Sequence, residues 1–109
     1  MRSPFGEVVR RMNTDVPRAH SLSTEQAARL FRLLGKESRL RVLLLLADEG
    51  EVNVKRLRLA LGQSQPNISH HLALLRRARL VVARRDGQRT YYRISTPFVR
   101  ELLRLACGG

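Results

Sequence analysis

Gln65, Ser69, His70, Ala73, Arg76 and Arg77 recur at intervals that place them on one side of a helix. Gln, Ser and His bring short hydrogen-bonding groups to the start of that face, and two guanidinium groups bring positive charge to its end. Base edges near a helix N-terminus, with phosphates further along, call for side chains of this kind in this order. A solvated helix face can have the same composition, so the flanks must decide. The opposite side carries Ile68, Leu72 and Leu75 at i, i+4, i+7, a stripe that needs burial. Ser64 can cap the helix by accepting a bond from a first-turn N–H, and Pro66 sits where a missing N–H costs nothing. The stretch Gly62–Leu80 therefore predicts a helix with one apolar and one polar, then cationic, face.

The 109 residues fit one small domain, whose core is marginal enough that burying a further face against a second copy would help. The formal net charge of +12 points to a polyanion. Nineteen of the 21 basic residues are arginine, the side chain that pairs bidentately with phosphate and guanine. A high-GC genome would explain the Arg/Lys ratio but not the scarcity of acids. One cysteine excludes an internal disulfide and a Cys-only zinc site within one chain. The N-terminal M-R-S-P-F-G-E-V-V-R-R lacks the apolar centre of a signal peptide, and the apolar run Val42–Ala47 is too short to span a membrane. The expectation is a cytoplasmic chain with no membrane partner. No nucleophile–base pair, phosphate loop or pair of catalytic carboxylates is legible, so no enzyme is expected.

The helix must be positioned by its neighbours. Residues 1–22 read as an arm, with Phe5, Val8, Val9 and Met12 at helical spacing and a linker-like stretch from Asn13 to Ser21. It is either disordered or folded back on a partner subunit, with partial order favoured. The domain proper runs from 23 to 107. Ser23 and Gln26 form a capping-box pattern for a helix bearing Ala27, Leu30, Phe31 and Leu34 on one side, closed by Gly35 as a C′ residue. Glu37–Ser38 opens a second helix, apolar nearly all round and so central, which Asp48-Glu49-Gly50 closes. Val52 predicts a strand of one or two residues, and Asn53 caps a third helix with Val54, Leu57 and Leu61 inward. Gly62 stops that helix, and the short turn Gly62–Gln63 leads into the opening stretch, which is a helix-turn-helix pattern.

After Leu80 the apolar period becomes two. Leu80–Arg85 and Thr90–Ile94 predict strands around Asp86-Gly87, a two-residue hairpin signal. That register sets Arg84 opposite Arg89, Val82 opposite Tyr91 and Val81 opposite Tyr92. Like charges facing across a hairpin destabilise it, so a tip with Arg84, Arg85 and Arg89 makes more sense beside a polyanion, although exposed arginines can also splay into water. Thr96 and Pro97 start a last helix with Phe98, Leu102 and Leu105 in one stripe, widened by Val99, Leu103 and Ala106. A terminal helix this apolar needs more than one partner, and its symmetry mate could supply the second.

Three segments, S-R-L-R-V-L-L-L-L-A at 38–47, S-Q-P-N-I-S-H-H-L-A-L-L-R at 64–76 and L-V-V-A-R-R-D-G-Q-R-T-Y-Y-R-I at 80–94, resemble in this order the ArsR/SmtB family of small dimeric bacterial repressors. The resemblance covers roughly residues 24–106. It implies a mainly α winged helix-turn-helix with a small β-hairpin wing. It implies a homodimer built by the first and last helices, with Leu30, Phe31, Leu34, Phe98, Val99, Leu102, Leu103 and Leu105 at the interface. It also implies that the Ser64–Arg79 helix enters the major groove of double-stranded DNA. Carried over by position, Gln65, Ser69 and His70, with Asn67 beside them, face bases. Ser64, Arg76 and Arg77 face the DNA backbone, and Arg84, Arg85 and Arg89 form the wing contacts. His71 lies nearer the apolar stripe and reads as a packed structural histidine.

The family's sensing chemistry departs here. Metal-sensing members carry C-V-C at the start of the third helix, where this chain has Asn53-Val54-Lys55, and neither Asn nor Lys replaces a thiolate. Others place His with Asp or Glu along the last helix, here F-V-R-E-L-L-R-L-A-C, which has no histidine. His70 and His71 are adjacent and diverge by about 100° on a helix, so with His20 they make no ligand cluster. No metal site and no cofactor are expected. Cys107 is the sole thiol; it reads as a plain cysteine, with an interchain pair near the dimer axis as the alternative.

The sequence thus leads to a homodimeric, sequence-specific transcriptional regulator, a repressor, reading half-sites about one helical turn apart on an inverted repeat. Two other classes stay open: a non-specific basic nucleic-acid-binding protein, nucleoid-associated or RNA-binding, and a winged-helix protein-interaction module.

Overall fold

The computed structural model describes residues 22–108. The apolar pattern Phe5–Met12 and the linker-like stretch after it lie outside the described residues. Among the described residues five helices and three strands follow one another: α1 (Thr24–Leu34), α2 (Glu37–Glu49), β1 (Val52–Asn53), α3 (Val54–Leu61), α4 (Gln65–Arg77), β2 (Val81–Asp86), β3 (Arg89–Ile94) and α5 (Pro97–Cys107).

Side-chain caps set the helix starts. Ser23 and Gln26 complete the reciprocal capping box of α1, at 3.1 and 2.9 Å. The Asn53 side chain accepts from the Arg56 N–H at 2.9 Å at the start of α3, and Thr96 accepts from the Val99 N–H ahead of α5. Gly62 adopts φ 65°, ψ 31° and ends α3, the left-handed step that turns the chain into α4. Gly35 works differently from the C′ residue expected: its φ is −70°, and its role is space, since a Cβ there would lie 3.2 Å from the Phe31 carbonyl oxygen.

α2 is the central helix. Val42, Leu43 and Leu46 are fully buried, while Leu40, Leu44, Leu45 and Ala47 pack half-buried around them. Leu57 of α3 and Ile68, Leu72 and Leu75 of α4 meet this surface with essentially no exposure. At about 25 cal/mol per Å2 of apolar area, this shared leucine layer is the main force holding the angle between α3 and α4.

The sheet has the order β1-β3-β2, antiparallel throughout. Its hairpin register differs from the one predicted. Asp86 pairs with Arg89, so Gly87 and Gln88 make the turn, and the positive φ falls on Gly87 (62°). Arg84 consequently faces Tyr91, not Arg89, and Val81 faces Ile94, not Tyr92. This register sets Asp86 against an arginine in place of two like charges, and it joins two buried aliphatic residues across the strands. A shift of two leaves every side chain on its predicted face.

The junction between α4 and β2 is tightly built. Arg79 adopts φ 63°, a conformation disfavoured for a side chain with a Cβ, while the Leu80 N–H bonds to the Leu75 carbonyl at 2.9 Å. The Ser95 hydroxyl donates to the Arg79 carbonyl at 2.6 Å and the Ser95 N–H to the Leu80 carbonyl at 3.0 Å, tying this corner to the end of β3. α4 thus ends at Arg77, two residues before the Arg79 expected.

The residues expected at the interface on α1 and α5 divide into two layers. Leu30, Val99 and Leu103 are buried in the chain's own core, at 8, 2 and 3% exposure, and present little surface beyond it. Phe31 and Leu105 are 60 and 68% exposed, and Leu34, Phe98 and Leu102 are half-buried beside the core. α5 therefore turns Val99 and Leu103 inward, not the Phe98–Leu102–Leu105 stripe. The whole is a winged helix-turn-helix: α3 and α4 are the two motif helices and β2–β3 is the wing.

Candidate nucleic-acid interface

α4 presents its polar residues to solvent along one face. Gln65, Asn67, Ser69, His70, Ala73, Arg76 and Arg77 are all exposed, and Ile68, His71, Leu72 and Leu75 are buried beneath them. Ser64 uses its hydroxyl as the cap, accepting from the Asn67 N–H at 3.3 Å, so it anchors the helix start beside the polar residues. The predicted base-facing set thus occupies one continuous surface at the N-terminal half of α4, where backbone N–H groups and the helix dipole also favour anions.

His71 is buried, at 4% exposure, and its Nδ1 has no hydrogen-bond partner among the described residues. Burial pushes its pKa below the ordinary 6.5, and the nearby charges of Lys36, Arg39 and His70 push the same way. It is accordingly a neutral packing residue between α4 and the start of α2, as its position on the apolar side implied. His70 is its exposed neighbour, with the two ring centroids 6.0 Å apart.

The arginines are not equivalent. Arg76 and Arg77, in the last turn of α4, have no acidic partner among the described residues. Arg84 is held in two parallel bonds by Glu51, both at 2.9 Å, lies 3.8 Å from Asp86, and sits over the Tyr91 ring at 5.1 Å. The Arg84 guanidinium holds the Glu51 carboxyl below its usual range. Arg85 donates to the Gly87 carbonyl at 3.1 Å and so folds over the wing tip. Arg89 is exposed opposite Asp86. Two residues before Glu51, Glu49 takes Arg56 in a second two-bond pair, at 3.0 and 2.6 Å, which lowers the Glu49 pKa. The acidic end of α2 and the turn into β1 therefore claim one arginine from α3 and one from the wing, and leave the α4 arginines without an acidic partner among the described residues.

Between α4 and the sheet runs an open groove of about 410 Å3, lined by Ser69, Leu72, Ala73, Arg76, Arg77 and Tyr92. It brings together three of the predicted residues with a tyrosine that sequence reasoning missed. Tyr92 was legible only as a strand aromatic, and in the predicted register it faced Val81.

Soft-metal chemistry does not fit the start of α3. Asn53 spends its side chain on the helix cap, and Lys55 is an exposed cation. Cys107 is exposed at the end of α5. No group of three or more His, Cys, Asp or Glu able to hold a metal ion occurs among the described residues. No helix among the described residues is long and apolar enough to cross a membrane.

Comparison with known proteins gives these features a lineage. Residues 36–82 match the model of the bacterial regulatory protein, arsR family. The chain is 50% identical over 66 residues to the arsenical resistance operon repressor of Escherichia coli, an alignment covering 61% of this chain and 56% of that protein, so the match spans little more than half of that relative. It is 40% identical over 81 residues to an uncharacterised HTH-type transcriptional regulator of Methanocaldococcus jannaschii, covering 74% of this chain and 91% of the relative. Among solved structures, HlyU from Vibrio cholerae superposes with a TM-score of 0.71 at 35% identity, over 76% of this chain and 89% of that one. A homodimeric winged helix-turn-helix DNA-binding domain from Mycobacterium bovis superposes with a TM-score of 0.70 at 35% identity, over 80 and 85%. The near-complete coverage of the archaeal regulator, joined to the shared fold, places this chain in the ArsR family of bacterial regulatory proteins.

Proposed function

We propose that this chain is a sequence-specific DNA-binding transcriptional regulator that works as a homodimeric repressor on an inverted-repeat operator in the cytoplasm, by binding and not by catalysis. The observation that carries the proposal is the exposed face of α4, polar at its N-terminal end and ending in two arginines without acidic partners. Gln65, Ser69 and His70, with Asn67, read base edges in the major groove. Arg76 and Arg77 neutralise phosphates, and Arg85 and Arg89 extend the contact through the wing. The names of the relatives, regulators and an operon repressor, support the regulatory role. Exposed Phe31 on α1 and Leu105 on α5 support a dimer, as does the homodimeric neighbour.

The net charge of +12 favours a second reading, non-specific binding to any nucleic acid. Genome-wide mapping of bound sites, followed by titration of a recovered site and a random duplex at matched salt, separates the two. A sequence-specific reader keeps a preference of at least about a thousandfold for its site. Ser69→Ala with His70→Ala lowers binding to that site and leaves the random duplex nearly unaffected. Equal losses on both duplexes would remove α4 from base reading.

A further inference from the structure

We infer that the groove between α4 and β3 is the seat of one backbone phosphate of the bound duplex, and that the Tyr92 hydroxyl donates a hydrogen bond to it. This rests on the proposal that α4 and the wing bind DNA. When a helix lies in the major groove and the wing beside it reaches the adjoining minor groove, the sugar–phosphate strand dividing the two grooves must cross the valley between helix and wing. In this chain that valley is the groove of about 410 Å3 lined by Ser69, Leu72, Ala73, Arg76, Arg77 and Tyr92.

Its chemistry suits a phosphate. Arg76 and Arg77 reach it from the last turn of α4 with no acidic partner among the described residues, and Ser69, two turns earlier, marks the end of the groove where base reading begins. Ala73 keeps the wall low between them. Tyr92 closes the opposite side. Its ring packs half-buried against the core, clamped in the sheet between Val52 and Ala83, and its hydroxyl has no protein partner among the described residues. A ring fixed in this way delivers its hydroxyl with little loss of freedom on binding. Tyr91, next in sequence, points to the other sheet face and lies under Arg84, so it takes no part.

The test is titration of a labelled random-sequence duplex by fluorescence anisotropy at several salt concentrations, with wild type, Tyr92→Phe, Tyr91→Phe and Arg77→Ala. Tyr92→Phe keeps the ring and therefore the packing, which a thermal melt checks. It should bind roughly tenfold more weakly, because a hydrogen bond to a charged oxygen is lost, with an unaltered salt slope, because a neutral hydroxyl releases no counterion. Arg77→Ala should flatten the slope, and Tyr91→Phe should bind as wild type does. Wild-type affinity in Tyr92→Phe, or an equal loss in Tyr91→Phe, overturns the phosphate seat and leaves DNA binding standing. Absence of duplex binding by the wild-type protein overturns both.

Discussion

Arg84 and Glu51, 33 residues apart, are joined by two bonds of 2.9 Å that tie the wing to the turn between α2 and β1. The hairpin register makes this possible. With Tyr91 opposite, the guanidinium rests on an aromatic face and reaches across β3 toward β1. An arginine that looked in sequence like one of three equal wing contacts is therefore already neutralised within the protein.

Arg84→Ala should change the salt dependence of duplex binding far less than Arg77→Ala, which should lower the slope by about one per protomer. Glu51→Gln should release Arg84 and steepen the slope. Anisotropy titrations across a salt series measure all three. A full unit lost in Arg84→Ala would mean that phosphate displaces Glu51 on binding.

Stability should fall with acid in two steps that begin at different pH. The folded-state pKa of His71 lies below the ordinary 6.5, so the unfolded chain binds the extra proton first, and stability rises with pH through that interval. It is fully present above 6.5 and is lost as pH falls toward the depressed folded value. The lowered carboxyls of Glu49, Glu51 and Glu101 add losses only below their ordinary 4.5. Denaturant melts should show the first loss below about pH 6.5, and His71→Leu should remove it while keeping the second. A His71→Leu profile that matches wild type would assign the first loss to another group.

The corner at Arg79 carries a conformational cost that glycine would remove. With φ at 63°, Arg79→Gly should raise stability by about 0.5–1 kcal/mol, the relief of a left-handed residue less the greater chain entropy of glycine. Chemical denaturation checks this. A loss of stability would mean that packing of the arginine side chain outweighs the backbone term.

The two apolar layers of α5 should separate under mutation. Leu105→Arg, at an exposed position, should split the proposed dimer in sedimentation while preserving the helical spectrum. Leu103→Ala, in the core, should cost about 2–5 kcal/mol and leave association of the folded chain intact. A dimer that survives Leu105→Arg together with Phe31→Arg would refute an interface built from these helices.

Much of this protein can be read from local chemistry. Ser23 with Gln26, Asn53, Ser64 and Thr96 mark helix starts because each side-chain bond closes within three residues. The apolar period finds Leu57, Ile68, Leu72 and Leu75, because a helix that buries one stripe shows it at every turn. The exposed face of α4 follows from the same periodicity.

What stayed hidden depends on contacts between distant segments. The hairpin register lies two residues from the one local sequence favours, because Asp86-Gly87 is a good turn on its own. Only burial of Val81 against Ile94, with Asp86 set against Arg89, selects Gly87-Gln88. α5 offers two apolar stripes of similar strength, and the choice of Val99 and Leu103 for the interior belongs to the surface it meets. The sequence by itself determined the helices, their caps and the polar face of α4, since these follow from periodicity and from bonds between near neighbours. The tertiary structure alone decided which arginines are free and where Tyr92 stands, because Glu51 reaches Arg84, and α4 reaches β3, only once the chain has closed on itself.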